Sequence, residues 1–333
     1  MHRTLLLPSL FLGACSGLRL NLIDHSAKQP SNVALYFTVD RANGDPVPGL
    51  QADQFRIYED GRPVSKLESK QTILNPQMAS AHYTLLLVDM SGSVSESGNL
   101  PQIQEAVSAF TERVGRFQRV GIYAFDGSED LAAIVPFTSS ARGATGGVAA
   151  LSRYVSRDPS TNLYGGVTEG LKTLAAALEG AEQPLRFGTL VVFTDGTDRA
   201  ARVKRQVMMQ AVRESPFDVF VIGVGAEVDQ GELKAIGRTG VALRSDAAAA
   251  RQAFEQIAKR IEGYSQRYYL LSYCTPSRAG KHRLRVEAVT PDGARGGVEE
   301  QFEAHGFGPG CDPSQAPDFE ATLRRAGQGA RRR

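Results

Sequence analysis

The chain has 333 residues, with 38 Lys and Arg against 36 Asp and Glu, for a formal charge of +2. That length admits two domains or one elaborated one, and 42% hydrophobic with 22% charged residues excludes global disorder. The near-neutral balance gives no reason to expect nucleic acid as a partner, and the arginines of the tail (Arg324, Arg325, Arg331, Arg332, Arg333) read as a frayed, solvated terminus.

In chain order, the first element is a targeting signal. A short basic stretch, Met1-His2-Arg3, precedes a brief apolar run that ends in Leu12-Gly13-Ala14-Cys15. The run is far shorter than the roughly 20 apolar residues of a spanning helix. Its ending resembles the lipobox of bacterial lipoprotein signals. The resemblance implies that residues 1–14 are removed and that Cys15 becomes the lipidated first residue, carrying diacylglycerol and palmitate-type acyl chains. Each buried methylene adds about 0.8 kcal/mol, so several chains make a durable membrane anchor. Ser16, rather than Asp, follows the cysteine, which by the same resemblance points to the outer membrane of a bacterial envelope. Export places Cys274 and Cys311 where disulfides persist. With Cys15 taken by lipid the remaining count is even, and a Cys274–Cys311 bridge is expected.

Residues 15–30 read as the lipidated cysteine and a linker reaching at most about 50 Å when extended. An N-terminal β segment over 31–79 follows. In it, Val33, Leu35, Phe37 and Val39 alternate with Ala34, Tyr36, Thr38 and Asp40, a half-buried strand. Phe55 and Ile57 start a second strand, and Val64 with Leu67 suggest a third. From 80 to 263 the rhythm changes. Tyr83 to Val88 is a nearly unbroken apolar run, suited to a strand buried on both faces of a parallel sheet. Helical spacing at Ile103, Ala106, Val107, Phe110 and Val114 follows, then further alternating strands and helices. This pattern predicts an α/β fold, a doubly wound, mostly parallel sheet with helices on both faces. Over 264–311 the period returns to two, in a strand Tyr268 to Tyr273 and another around His282 to Val289. Neither β-rich flank is large enough to stand alone. They are expected to pair into one small β-sandwich with the α/β domain inserted between them, and 312–333 is expected to be a disordered basic tail.

The candidate chemistry lies at strand ends. The first buried strand runs into Asp89-Met90-Ser91-Gly92-Ser93, and a later one ends at Thr194-Asp195-Gly196. Ligands bind at the carboxyl ends of strands in such sheets, so Asp89 and Asp195 are expected to come together. Adjacent carboxylates repel unless protonated or bridged by a cation. Oxygen ligands without His or Cys suit a hard ion: Mg²⁺, with Mn²⁺ or Ca²⁺ as alternatives. Asp126 and Asp198 also follow strands and read as turn residues. The five histidines have no metal-ligand spacing, and Gly223-Val224-Gly225 is no dinucleotide fingerprint.

Asp89-x-Ser91-x-Ser93 after an apolar strand resembles the first motif of the von Willebrand factor type A (VWA) domain. Thr161, in the stretch Ser160-Thr161-Asn162-Leu163-Tyr164-Gly165-Gly166 that precedes a helix, matches the threonine of that family's metal-ion-dependent adhesion site (MIDAS). Ser160 and Thr197 lie in similar contexts. Asp195 matches the final aspartate. The flanks, through Val47-Pro48-Gly49-Leu50, Tyr58-Glu59-Asp60-Gly61 and Tyr268 to Tyr273, resemble a bacterial subgroup of exported VWA proteins. The resemblance implies that Asp89, Ser91, Ser93, Thr161 and Asp195 hold one divalent cation with a position open to an Asp or Glu of a partner protein. The function then expected is a membrane-tethered, metal-dependent adhesion or interaction module, not an enzyme. Two alternatives are an envelope assembly scaffold in which metal is incidental and a phosphohydrolase of the haloacid dehalogenase type. The second needs an aspartate two residues after the first, where this chain has Ser91.

Overall fold

Alternation and burial together decide which segments become strands. The computed structural model describes residues 17–95, 98, 100–138, 143, 146–225, 229–245, 249–320 and 322–324; Cys15 and its leader lie outside them. In chain order come β1 (Leu18–Lys28), β2 (Asn32–Arg41), β3 (Phe55–Glu59), β4 (Arg62–Pro63), β5 (Thr72–Leu74) and β6 (Ser80–Asp89). Next are the single turn α1 (Gly92–Ser95), α2 (Leu100–Val114), β7 (Arg119–Phe125), β8 (Ala132–Thr138), α3 (Leu163–Glu179) and β9 (Leu185–Thr194). Then follow α4 (Arg205–Glu214), β10 (Asp218–Val224), α5 (Gln230–Ile236), β11 (Gly240–Arg244) and α6 (Ala250–Gln266). The chain closes with β12 (Tyr268–Cys274), β13 (Lys281–Val289), β14 (Arg295–Glu303) and β15 (Thr322–Arg324).

The central sheet has the order β11-β10-β9-β6-β7-β8, parallel except for β8, which runs antiparallel to β7. Its strands read as unbroken apolar runs because both faces are covered. Leu86 and Val88 of β6 point toward α2 and α6, packing with Phe110, Phe254 and Ile257. Leu85 and Leu87 point the other way, toward Val167, Leu171 and Leu174 of α3. Helices lie on both faces, as the β/α alternation predicts.

The flanks form two four-stranded sheets, β1-β2-β12-β5 and β14-β13-β3-β4. Leu35 and Phe37 of β2 share a core with Phe55 and Ile57 of β3 and with Leu284 and Val286 of β13. The sulfurs of Cys274 and Cys311 lie 2.12 Å apart, with Cα atoms at 5.7 Å, so residue 311 is held beside the end of β12. Among the described residues no helix is long and apolar enough to cross a membrane.

Four expectations change. The 15–30 linker is largely β1, paired with β2 from Leu18↔Arg41 to Lys28↔Asn32; the alternation of Leu18, Leu20 and Leu22 is its cause. β2 is buried on both faces rather than one, because Ala34 and Tyr36 pack against Leu185 and Phe187 of the α/β body. The third strand is not at Val64–Leu67, where the chain turns and Leu67 is 92% exposed. The tail is packed on the body where it is described: Phe319 meets the Tyr36 ring at 6.3 Å and β15 pairs parallel with β9, while residues 325–333 lie outside the described residues.

Candidate metal centre

Strand register builds the site. β6 and β9 are parallel neighbours with Val88 opposite Phe193, so the next residues, Asp89 and Thr194, emerge side by side at the carboxyl edge. Thr194 Oγ1 donates to Asp89 Oδ2 at 2.7 Å. Asp89 Oδ1 accepts from the Ser91 N–H at 3.0 Å, which bends the chain sharply after the strand. That bend turns Ser91 and Ser93 to the same side, with their hydroxyls 3.2 Å apart. Ser93 Oγ then donates to Asp195 Oδ1 at 2.9 Å, across 102 residues of sequence.

Thr161 arrives from a third loop. The Gly92 N–H donates to Pro159 O at 2.8 Å. Asn162 caps α3, its Oδ1 accepting from the Gly165 N–H. Between these ties stands Thr161, 4% exposed, whose carbonyl accepts from the Arg199 and Ala200 N–H groups at 2.8 and 3.0 Å. A Cβ placed on Gly196 would sit 3.8 Å from Thr161 Oγ1, so the hydroxyl lies beside the residue that follows Asp195. All five residues singled out in the sequence thus meet at one edge of the sheet.

The electrostatics follow from depth. Asp89 is fully buried, and burial pushes its carboxyl up to about 6. Hydrogen bonds from Thr194 and Ser91 oppose that rise, and the Asp195 charge adds to it. A carboxylate so placed gains from a nearby positive charge. The donor set of two carboxylates and three hydroxyls is chemically suited to a hard dication. No group of three or more His, Cys, Asp or Glu residues of metal-binding kind occurs among the described residues; hydroxyls dominate this set, so carboxylate clustering is not its signature.

The model of the von Willebrand factor type A domain matches residues 85–261, the segment that runs from within β6 through all three loops into α6. The chain belongs to the von Willebrand factor type A domain family. Among curated proteins no relative is matched. Similar solved structures include a von Willebrand factor type A protein from Catenulispora acidiphila, at 12% identity over 87% of this chain and 75% of that one, TM-score 0.46. Another is proximal thread matrix protein 1 of the mussel byssus with a zinc-occupied MIDAS motif, at 16% identity, TM-score 0.44. The match covers 54% of this chain and 48% of the mussel one, so it spans about half of that protein. A third is BatB from Bacteroides thetaiotaomicron, at 15% identity over 54% of this chain and 98% of that one, TM-score 0.43.

Within the VWA domain some residues of the site escaped the sequence reading. Thr194 holds Asp89, and its position directly before Asp195 was the available signal. Asp126 is no ordinary turn residue: it is fully buried. Burial would raise its carboxyl, but hydrogen bonds from Ser128, Arg157 and Tyr154 outweigh that and bring it down to about 2. Asp198 accepts from the Tyr164 and Ala201 N–H groups at 3.0 and 3.2 Å, tying the β9 loop to the first turn of α3.

Proposed function

We propose that this chain is a divalent-metal-dependent protein-binding module of the bacterial envelope, tethered through a lipid on Cys15. The observation that carries the reading is the Ser93–Asp195 contact, which closes the site between two loops far apart in sequence. Asp89, Ser91, Ser93, Thr161 and Asp195 would hold the ion. Once bound, a dication supplies a Lewis-acidic position to an incoming carboxylate. The two aspartates balance a charge of two, and the three hydroxyls add none, which leaves affinity for an Asp or Glu of the partner. Thr194 and the Ser91 N–H fix the Asp89 carboxylate and keep it from turning away. All-oxygen ligation favours Mg²⁺ over zinc, whose preferred protein ligands are nitrogen and sulfur.

A lipid on Cys15 would stand only three residues before Leu18, so the tether would span roughly 10 Å and hold the flanking sheets close to the bilayer. Calorimetric titration of Mg²⁺ into the wild type and Asp89→Ala tests the site. Binding should be stoichiometric in the wild type and lost in the variant; equal or equally absent binding refutes the proposal. Affinity capture with the 16–333 fragment in Mg²⁺ against chelator then tests whether the partner requires the metal.

A further inference from the structure

Asp126 makes more hydrogen bonds than a turn requires, and they converge on the segment that carries Thr161. It lies one residue beyond Phe125, which pairs with Asp89. Its Oδ1 accepts from the Ser128 N–H at 2.8 Å and the Ser128 hydroxyl at 2.5 Å. Its Oδ2 accepts from the Tyr154 hydroxyl at 2.8 Å and the Arg157 N–H at 2.7 Å. Its carbonyl accepts from the Asn162 N–H at 3.0 Å, next to Thr161. Around it, the Gly127 N–H donates to Asp158 O at 2.9 Å and Asn162 Nδ2 donates to Ser128 O at 2.8 Å. Arg202 Nη2 pairs with Asp158 Oδ2 at 2.8 Å while Arg202 Nε donates to Gly127 O. The loop from 154 to 162 is therefore laced along its length to residues 126–128.

We propose that Asp126 is a positioning residue for the metal centre: its carboxylate gathers the 154–162 loop and so sets where the Thr161 hydroxyl stands. This rests on the metal-binding reading above. The chemistry calls for a carboxylate rather than an amide. The Ser128 and Arg157 N–H groups cannot reverse their polarity, and they bind different oxygens of Asp126. An asparagine must turn its NH₂ toward one of them. One tie is lost, and two donors are left facing each other.

The test is Mg²⁺ calorimetry on wild type, Asp126→Asn, Thr161→Ala and the double variant, with thermal unfolding of each in chelator. Asp126→Asn should weaken Mg²⁺ binding by roughly 10–100-fold, the usual effect of removing support from a metal ligand. The double variant should bind as Thr161→Ala alone does, because Asp126 acts through Thr161. If Asp126→Asn does not fold, Tyr154→Phe removes one donor and should weaken binding by roughly 2–10-fold, again with no further loss on the Thr161→Ala background. A variant less stable in chelator yet binding Mg²⁺ as tightly as the wild type overturns the proposal, as does a double variant whose loss is the product of the two. In either case wild-type binding and its loss in Asp89→Ala would leave the metal site standing. A wild type that binds no Mg²⁺ removes both readings.

Discussion

His82 offers a pH test of how the α/β body and the flanking sheets are joined. It sits in β6 where the body meets the flanking sheet, stacked on Phe187 at 4.7 Å and edge-on to Tyr268 at 4.9 Å. Its Nε2 lies 3.1 Å from Ser80 Oγ. Burial chiefly, with the Arg267 charge adding to it, pushes the ring down from 6.5 to about 3. The unfolded chain takes up a proton below about 6.5 that the folded chain refuses until about 3. The unfolded state therefore binds more protons across that window, and stability falls as pH falls through it. Above 6.5 the histidine adds no pH dependence. Each tenfold change in proton affinity is worth about 1.4 kcal/mol, so the full interval is at most ~5 kcal/mol. His82 also lines a cleft of about 410 Å³ with Pro48, Ser80 and Phe117; water there screens the charge and reduces the expected effect to ~2–4 kcal/mol. His82→Phe keeps the aromatic contacts and removes the titration. Urea unfolding of both proteins at intervals from pH 7.5 to 4 samples only the upper part of that interval, so the wild type should lose ~2–3 kcal/mol more stability than the variant, with the difference opening below 6.5. Parallel pH profiles would refute the reasoning.

Two further outcomes follow from the packing. Cys311→Ser opens a connection between residues 37 apart, a loop whose closure is worth ~3–4 kcal/mol. Urea unfolding at neutral pH should shift by that amount, and a thiol titration of the denatured chain from residue 16 on should find no free thiol in the parent protein. Gly188→Ala would place a Cβ 2.5 Å from Phe217 Cδ1, and Phe217 is 2% exposed with no room to withdraw. Destabilisation of ~1–3 kcal/mol is expected, read as a lower melting temperature with Mg²⁺ affinity unchanged.

What was legible in the sequence was local. Asp89, Ser91 and Ser93 stand within five residues of each other after an apolar run, so spacing alone announced them. Asp195 was legible because it also ends an apolar strand, and parallel pairing of β6 with β9 does the rest. Asp126 was not, because its meaning depends on Tyr154 and Arg157 folding back onto it, and nothing local to Phe125-Asp126-Gly127 signals that. β2 misled for a related reason. Its alternation is real, but Tyr36, on what reads as its polar face, meets Ser80 Oγ at 2.7 Å within a second core. Period two reports which side chains share a face, not whether that face meets water.

The way the body is inserted makes these tests separable. The chain enters the α/β body after β5 and leaves it at β12, and those strands pair with Leu74 opposite Leu270. Entry and exit are thus fixed at one sheet edge. At the exit, Arg267 pairs with Asp40 at 3.3 Å and lies over the Tyr264 ring at 4.7 Å. The contacts of Ser80 and His82 with Tyr36 place the junction at the start of β6, whereas Asp89 ends the same strand. Seven residues at about 3.3 Å each put His82 roughly 23 Å from Asp89. The candidate metal centre therefore faces away from the junction, and a partner can reach it without displacing the flanking sheets. Sites this far apart with no shared partners act independently to within a few tenths of a kcal/mol. His82→Phe should consequently leave the Mg²⁺ dissociation constant at neutral pH within about twofold of the wild type. A larger change would mean that the body transmits strain along β6 from one end to the other.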